Sequence, residues 1–338
     1  MLDPFINKVK EGSNLSAAEA SECLSLLFKN TYEETQIIEL LNALCEKGES
    51  INEICGFARE LVKNCAKVNI DKDAIDLCGT GGSGLDRFNI STTVAFTLAS
   101  GGFPVAKHGN KGSKQPNGAF DLLEKLKIDI NTNPEQEAQQ FKNHNLCFLF
   151  ARTHHPAMKA VGPARAKLGK RNIFNIVGPL SNPAGVAYQI VGVSNKDHGP
   201  LLINALKELG KKRALVVYGE PGIDEFSISG DSKYWLLSEG EISENTFSLK
   251  ELDIEPIAYD NLPHGDFNKN AEIFMKLLDG DSCGGLLDMV ALNAGAAIFT
   301  LERANSISEG YTIAKELIMS GKTKKFFEQF PKIEQNHI

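Results

Sequence analysis

The sequence has few of the features that mark secreted, membrane or disulfide-stabilised proteins. Its seven cysteines are scattered over 338 residues without a Cys-x-x-Cys pair. That pattern argues against a disulfide framework or a zinc site and is typical of a reducing cytoplasm, where we place the protein. No apolar run is long enough to predict a membrane span. The most apolar stretch, Cys283–Leu301, contains Asp288 and Asn293 and predicts a buried helix. The N-terminus carries Asp3 and has no apolar core, so it does not predict a signal peptide.

The chain also lacks an excess of positive charge. It has 36 Lys and Arg residues against 43 Asp and Glu residues, and the net charge of −7 argues against a protein dedicated to nucleic-acid binding. Hydrophobic residues make up 42% and charged residues 23%, as in ordinary globular proteins. The length predicts one large or two ordinary domains.

The first 66 residues predict a small helical domain. Three hydroxyl residues are each followed three positions later by glutamate, which is typical of the capping box that opens a helix, and apolar residues recur behind each at helical spacing. The pairs are Ser16 with Glu19, Thr31 with Glu34, and Ser50 with Glu53. Three short helices have little core of their own, so we expect them to pack on the rest of the chain or on a partner chain.

From Asp73 onward, short apolar runs alternate with helical stretches. This alternation predicts an α/β domain with a mainly parallel central sheet that is flanked by helices on both faces. The strand candidates are Ala74–Leu77, Phe103–Ala106, Leu146–Phe150, Gln189–Val193 and Ala214–Tyr218. The helical stretches between them are Ser91–Ser100, Gly118–Lys127, Pro134–Lys142, Pro156–Leu168 and Pro200–Leu209. Residues 220–265 are less regular and allow an antiparallel excursion, whereas residues 268–330 are again helical in pattern.

A glycine-rich loop follows the first strand candidate. The stretch Asp76–Gly84 leads to Asn89–Thr92, which opens a helix, and glycine amides beside a helix N-terminus favour the binding of an anion. The loop is not a Walker loop, because no Gly-Lys-Ser/Thr follows, and its glycine spacing is not that of a Rossmann fingerprint. The alternative at this point is a tight turn that needs several residues with positive φ.

Further polar residues follow other strand candidates. Lys107, His108 and Asn110 come after the second, so we expect them at the same sheet edge as the glycine loop, with the Lys107 charge available to a phosphate. Asp224 and Glu225 follow the fifth, and adjacent carboxylates suit Mg²⁺ when phosphates and water complete its shell. A surface lysine and a solvated acidic pair are the plain alternatives.

The region after the third strand candidate contains adjacent histidines and several arginines. His154 and His155 have no third ligand nearby in sequence, which argues against zinc. Arg165 is a candidate for bidentate recognition of a carboxylate. A helix-surface ion pair is the default alternative for any single arginine.

Together these motifs resemble the anthranilate phosphoribosyltransferase family, in order and spacing across nearly the whole chain. The motifs that carry the resemblance are Gly79–Gly82, Asn89–Thr92, Lys107–Asn110, His155–Met158, Arg171–Pro183 and Asp224–Ser227. The resemblance implies an enzyme of tryptophan biosynthesis that joins anthranilate to phosphoribosyl pyrophosphate with Mg²⁺. It implies a homodimer through the helical domain, and a fold that is shared with nucleoside phosphorylases. The helical domain would comprise residues 1–66 together with a returning helical segment near 165–185. The α/β domain would comprise residues 73–164 and 190–338, and the active site would lie between the two domains.

The resemblance also implies roles for individual positions. The donor, phosphoribosyl pyrophosphate, would be held by Gly79, Gly82, Ser83, Arg87, Asn89, Ile90, Ser91, Thr92, Lys107 and Ala119. The anthranilate path would be lined by Gly79, His108, Asn110, His155, Arg165 and Pro179, with Arg165 on the carboxylate. Mg²⁺ would be held by Ser91, Asp224 and Glu225.

This chain departs from the family pattern on the donor side. Ser83 stands where the family usually has Asp, Arg87 where it has Thr, and Lys111 where it has Arg. Lys114 and Gln115 replace a Ser-Ser pair, and Ala119 replaces a Ser. We expect fewer bound Mg²⁺ than in typical relatives, because a fixed cation can neutralise part of the leaving group's charge. Two alternatives stay open. One is a nucleoside phosphorylase-like enzyme, and the other is a non-catalytic paralogue that binds phosphate-containing ligands or nucleic acid through a basic patch.

Overall fold

A computed structural model describes residues 1–29, 31–71, 73–81, 84, 88–112 and 118–333. The N-terminal helices are α1 Asp3–Lys10, α2 Ala17–Phe28, α3 Glu34–Lys47 and α4 Ile51–Lys63. The strands are β1 Ile75–Gly79, β2 Val105–Gly109, β3 Leu146–Phe150, β4 Tyr188–Gly192, β5 Arg213–Gly219, β6 Ser232–Ser238 and β7 Glu241–Phe247. The later α-helices are α5 Ile90–Ser100, α6 Ala119–Lys125, α7 Pro134–His144, α8 Ala151–His154, α9 Gly162–Leu168, α10 Ile173–Val177, α11 His198–Glu208, α12 Phe267–Leu278, α13 Leu286–Thr300, α14 Ile307–Met319 and α15 Lys322–Gln329. Short 3₁₀ turns lie at Pro156–Ala160, Leu249–Leu252, Tyr259–Asn261 and Cys283–Gly285.

Two of the three predicted capping boxes are confirmed. Ser16 and Ser50 each accept a hydrogen bond at 3.3 Å from the backbone amide of the glutamate three residues later, and each serine amide donates to that glutamate at 2.8 Å. The third prediction, with Thr31 as the cap, is wrong. Helix α3 begins after Glu33, whose backbone amide donates to the Gln36 side chain at 3.3 Å. A carboxylate can occupy the cap position because it also accepts from the free amides of the first turn.

The first four helices share a core with the rest of the chain. Their buried apolar residues form one cluster with residues 161–180, helix α11 and one face of the sheet. Phe57 of α4 packs edge-on against Phe174 of α10, with ring centroids 5.8 Å apart. Lys167 of α9 pairs with Glu34 of α3 at 3.0 Å. The rest of the chain therefore supplies the packing surface that short helices cannot provide alone. The bounds of the two predicted domains stay a prediction.

The central sheet has the order β3-β2-β1-β4-β5-β6-β7, and β1 to β5 run parallel. Strands β6 and β7 are antiparallel, so the predicted fold class and the excursion within 220–265 are both confirmed. The first two strands reach further than predicted. Gly79 is the last residue of β1, and Lys107 and His108 lie inside β2 instead of after it. In β2 the apolar run ends before the strand does, because the buried polar residues Lys107 and His108 continue the pairing with β3.

Helices cover both faces of the sheet. On one face, α5 and α13 pack into a large apolar cluster around Phe96. Residues Cys283–Thr300 form the one described stretch with the length and apolarity of a membrane span, but 83% of it is buried inside the structure, which confirms the predicted core helix. The single helix predicted at Pro156–Leu168 is wrong. It is a 3₁₀ turn followed by α9, because Pro163 fits the first turn of a new helix but cannot donate within an existing one.

Candidate active site

The glycine loop and the predicted acidic pair meet at the carboxyl edge of the sheet. The backbone amide of Gly81 donates to Asp224 Oδ2 at 3.0 Å, across 143 positions of sequence. A Cβ on Gly79 would overlap that carboxylate, and a Cβ on Gly192 would overlap the Asp224 backbone. Glycine at these two positions therefore permits the close approach of Asp224. The predicted residues of the donor side that lie outside the described residues are Gly82, Ser83, Arg87, Lys114 and Gln115.

Helix α13 holds the acidic pair in place from behind. The Asn293 side chain accepts a hydrogen bond from the backbone amide of Phe226 at 2.9 Å and donates one to its carbonyl at 2.8 Å. Asp224, two residues before Phe226, is buried, and Glu225 is half-buried. The loop after β5 thus presents two carboxylates beside the glycine loop in a fixed arrangement, which excludes a solvated acidic pair.

The carboxylates of this pair fit a magnesium ion. Mg²⁺ is usually bound by one or two protein carboxylates and completes its shell with water and phosphate oxygens. Over the ranges that the structure describes, no cluster of three or more His, Cys, Asp or Glu side chains could hold a metal alone. The two carboxylates of Asp224 and Glu225 suit an ion that takes its remaining ligands from water and a phosphate-bearing substrate. The third predicted ligand, Ser91, is half-buried in the first turn of α5.

Two buried hydroxyls belong to the glycine loop and to the helix that follows it. Thr80 lies within the loop, and Thr92 lies in the first turn of α5 next to Ile90 and Ser91. Among the described residues, neither hydroxyl oxygen has a hydrogen-bond partner. Buried hydroxyls are normally satisfied, and the N-terminus of α5, which follows Asn89, favours negative charge. The N-terminus of α5 and the amides of the loop therefore suit a phosphate.

Lys107 is a buried cation in the middle of β2. Its ammonium donates to the Leu77 carbonyl of β1 at 2.6 Å, so the alternative of a surface lysine is excluded. Asp76 lies beside it and accepts from the backbone amide of His108 at 3.0 Å. Burial lowers the pKa of Lys107, while the negative charges of Asp76 and Glu225 act in the opposite direction. The lysine thus lies between a buried carboxylate and the acidic pair.

Two predicted acceptor-side histidines form a buried pair. The rings of His108 and His155 meet edge to face, with centroids 5.2 Å apart. Burial, together with the charge of His154, lowers the pKa of His155 to about 4, and burial holds the pKa of His108 well below its usual range. Both imidazoles are therefore neutral at pH 7. The nearby predicted residue Pro179 is buried, and its carbonyl accepts from the Gln189 side chain at 2.6 Å.

Arg165 of α9 is a half-buried cation. Its guanidinium carbon lies 5.0 Å from the centre of the Phe174 ring, and its Nε is buried without a hydrogen-bond partner. Burial lowers the pKa of Arg165. Among the described residues it makes no ion pair, so the alternative of a helix-surface ion pair is excluded there. An arginine held in this way can take up a carboxylate from a ligand.

Asn110, Lys111 and Ala119 are more exposed than the histidine pair. Asn110 is exposed, and its side chain accepts from the backbone amide of Lys111 at 2.8 Å. The Lys111 ammonium pairs with Glu124 at 2.6 Å, which weakens the expected basic patch. Ala119 is the half-buried first residue of α6.

Sequence reasoning assigned no role to two side chains that contact the glycine loop. Arg171 and Ser194 donate to the Gly81 carbonyl at 3.4 and 3.1 Å. Arg171 also lies 3.3 Å from the His198 ring, at the start of α11. The resemblance includes Arg171 in a motif, whereas no local pattern marks Ser194. The parallel strand order was the signal, because Ser194 follows β4 at the same sheet edge.

The chain matches known protein families along nearly its whole length. Residues 71–324 match the glycosyl transferase family, a/b domain, and residues 3–65 match the glycosyl transferase family, helical bundle domain. It is 38% identical over 330 residues to the anthranilate phosphoribosyltransferase of Methanobrevibacter smithii, covering 98% of each chain. It is 39% identical over 331 residues to that of Persephonella marina, covering 97% of this chain and 98% of the relative.

Solved structures of similar proteins have the same fold. The crystal structure of anthranilate phosphoribosyltransferase from Thermus thermophilus is 34% identical and covers 96% of this chain and 97% of its own, with a TM-score of 0.90. The Saccharomyces cerevisiae protein, solved in complex with phosphoribosyl pyrophosphate and Mg, is 24% identical with a TM-score of 0.88. That match covers 97% of this chain and 96% of the yeast chain, and at this identity it shows the fold alone.

Proposed function

Because this chain belongs to the anthranilate phosphoribosyltransferase family, we propose that it transfers the phosphoribosyl group of phosphoribosyl pyrophosphate to the amine of anthranilate. Pyrophosphate is the second product, and the reaction is a step of tryptophan biosynthesis. We further propose that the chain works as a cytoplasmic homodimer, with the helical domain at the subunit contact.

The observation that carries this proposal is the contact between the glycine loop and the acidic pair. The hydrogen bond from Gly81 to Asp224 joins a phosphate-binding element to a magnesium-binding element. A nucleoside phosphorylase needs the first but not the second. Sequence similarity to anthranilate phosphoribosyltransferases over nearly the whole chain also favours a transferase over a phosphorylase. The pairing of Lys111 with Glu124 leaves less charge for a nucleic-acid-binding paralogue.

On the donor side, the residues of this chain bind the phosphates and the leaving pyrophosphate. Backbone amides of the glycine loop and the N-terminus of α5 supply hydrogen bonds, and the buried Lys107 supplies positive charge from within the sheet. The described residues to which we assign donor binding are Gly79, Asn89, Ile90, Ser91, Thr92, Lys107 and Ala119. When bound, Mg²⁺ neutralises charge on the pyrophosphate, and Ser91, Asp224 and Glu225 are the residues that would hold it.

On the acceptor side, Arg165 orients the anthranilate carboxylate. The residues that line the path are Gly79, His108, Asn110, His155 and Pro179. The bond between the anomeric carbon and the pyrophosphate oxygen breaks, and the amine nitrogen bonds to that carbon and gives up its proton to solvent. An aromatic amine is neutral and nucleophilic at pH 7, so positioning matters more than a strong base. Two neutral histidines suit this role, because they do not compete with Arg165 for the carboxylate.

The departures on the donor side lead to a proposal about metal use. Arg87 and Lys114 add positive charge in segments where Ser83 replaces a family carboxylate. We therefore assign one Mg²⁺ to the acidic pair and expect activity that saturates at low Mg²⁺. Donor titrations of the wild type and Arg87→Thr across a Mg²⁺ series test this, and equal affinities at every Mg²⁺ concentration would contradict it.

One assay separates the transferase from the alternatives. The purified chain is mixed with anthranilate and Mg²⁺, and the loss of anthranilate fluorescence is followed with and without phosphoribosyl pyrophosphate. Fluorescence loss that requires phosphoribosyl pyrophosphate supports the proposal. Cleavage of nucleosides by inorganic phosphate would identify a phosphorylase instead. No reaction, with polyanion binding that weakens steeply with salt, would identify a non-catalytic paralogue.

A further inference from the structure

A buried histidine next to the acceptor path joins three separate parts of the chain. His154, at the end of α8, has its Nδ1 2.6 Å from the carbonyl oxygen of Ala66 and its Nε2 3.0 Å from Glu137 Oε1. Ala66 lies in the segment between α4 and β1, and its backbone amide donates to the His154 carbonyl at 2.8 Å. Glu137 lies on α7. Both ionisable side chains are almost fully buried, with exposed fractions of 1% for His154 and 0% for Glu137.

The partners of His154 determine how many protons its ring must carry. A backbone carbonyl and a carboxylate are both acceptors, whereas a neutral imidazole has a single N–H to donate. Satisfying both partners therefore requires protons on both ring nitrogens, unless the carboxyl of Glu137 carries a proton itself. The Thr132 hydroxyl already donates to Glu137 Oε1 at 3.1 Å, as expected for an acceptor carboxylate. Burial opposes the charge on His154, but hydrogen bonding with Glu137 and its negative charge outweigh burial and raise the pKa of His154.

We infer that His154 is a positioning residue that, as an imidazolium tied to Glu137 and to the Ala66 carbonyl, fixes the neighbouring His155 in the acceptor path. This inference rests on the proposed function, because it takes His155 as part of that path. The hydrogen bonds between His154 and Ala66 also connect the acceptor path to the segment between α4 and β1.

The positive charge of His154 has a second effect on the acceptor path. It disfavours a proton on His155 and on His108, which lies ring to ring with His155. Burial and this charge together keep the two rings neutral, and Arg165 is the cation to which we assign the acceptor carboxylate. A charged ring at position 155 would offer the carboxylate a second partner and a second orientation.

Two variants and a control separate the effect of the two His154 hydrogen bonds from the effect of its positive charge. His154→Gln cannot donate to both partners, so we expect the KM for anthranilate to rise about tenfold, as for the loss of one charge-assisted hydrogen bond. The KM for phosphoribosyl pyrophosphate should stay within about twofold, since the donor side is untouched. In Glu137→Gln the amide can donate to a neutral His154, so both hydrogen bonds survive without the charge, and the anthranilate KM should rise less than in His154→Gln. The control, His144→Gln, changes a histidine at the end of α7 whose ring packs against Phe330, 5.3 Å between centroids.

The proton count is measured directly by NMR on protein labelled with ¹⁵N-histidine, which needs no enzymatic activity. At pH 7 we expect the His154 ring, identified by its loss in His154→Gln, to show two N–H groups in the wild type and one in Glu137→Gln. A single N–H in the wild type would overturn the imidazolium. A folded His154→Gln with an unchanged anthranilate KM, or with equal rises in both KM values, would overturn the positioning role. A wild-type chain without transferase activity would instead refute the proposed function, while the NMR result would still decide the charge of His154.

Discussion

A single methyl group at position 79 tests the geometry of the proposed site. Replacing Gly79 with alanine places a Cβ on the Asp224 carboxylate, where it overlaps Oδ2 and lies 2.7 Å from Cγ. The clash is with the end of a side chain, so Asp224 can rotate away while β1 keeps its pairing. By contrast, a Cβ at Gly192 meets the Asp224 backbone, which cannot yield so easily. Gly79→Ala should therefore fold normally but lose the hydrogen bond from Gly81 to Asp224.

The size of the effect follows from the bond that is lost. A hydrogen bond to a carboxylate contributes about 1.5–3 kcal/mol in a buried site. If that contribution is made in the transition state, kcat/KM for phosphoribosyl pyrophosphate falls roughly 10- to 150-fold. The KM for anthranilate changes much less, because Arg165 lies on a different element.

A double-mutant cycle identifies the cause. Gly79→Ala, Asp224→Ala and the double variant are compared in the fluorescence assay, with Gly162→Ala as a control whose Cβ would enter open space. If the methyl group acts by displacing Asp224, it lowers kcat/KM no further once the carboxylate has been removed. The double variant should then match Asp224→Ala within about 0.5 kcal/mol of transition-state free energy. Additive losses would refute the reasoning, as would a Gly79→Ala protein with unchanged kcat/KM.

Three further predictions concern acceptor binding, stability and pH. Arg165→Ala should raise the KM for anthranilate roughly 10- to 100-fold with little change for the donor, through loss of a charge-assisted contact, and equal rises would contradict this role. Glu53 is buried and pairs with Lys47 at 2.9 Å, so Glu53→Ala should lower the free energy of unfolding by about 3 kcal/mol, whereas the exposed Glu46→Ala should not. The pKa of His155 is lowered to about 4, so protonation favours the unfolded chain and stability falls as pH drops from about 6.5 towards 4. His155→Gln should flatten this part of the denaturation profile, and an unchanged slope would contradict the assignment.

The sequence predicted the parts of the fold that depend on local pattern. Alternating strands and helices imply a parallel sheet, and a parallel sheet brings the residues after its strands to one edge. The sequence pattern therefore predicts that Asp224 lies near the glycine loop. The caps at Ser16 and Ser50 were equally local. The prediction of Thr31 is wrong because several polar residues compete for one helix start, and α3 begins after Glu33.

Other features depend on contacts between distant residues, which local pattern does not contain. The apolar pattern predicts an end of β2 at Ala106, which is too early, because it treats Lys107 and His108 as residues that follow the strand. Lys107 stays buried because Asp76 of the neighbouring strand compensates its charge, and this pairing appears only when β1 and β2 are adjacent. Among the described residues Arg165 makes no ion pair, and this too depends on its surroundings. For Ser194 the strand order indicates the correct sheet edge, but no local pattern indicates its hydrogen bond to Gly81.

The ring contact between α4 and α10 connects the N-terminal helices with the proposed acceptor side. The Arg165 guanidinium lies over the Phe174 ring, and Phe174 contacts Phe57 of α4, whereas the proposed donor residues belong to the sheet, α5 and α6. A change of side-chain volume at position 57 is therefore transmitted through one aromatic ring to the acceptor cation and leaves the phosphate-binding loop alone. Selection for a different aromatic acceptor can act on residues of the N-terminal helices that never touch the substrate. New acceptor preferences would then arise at a distance, while the chemistry of the phosphoribosyl donor is inherited unchanged.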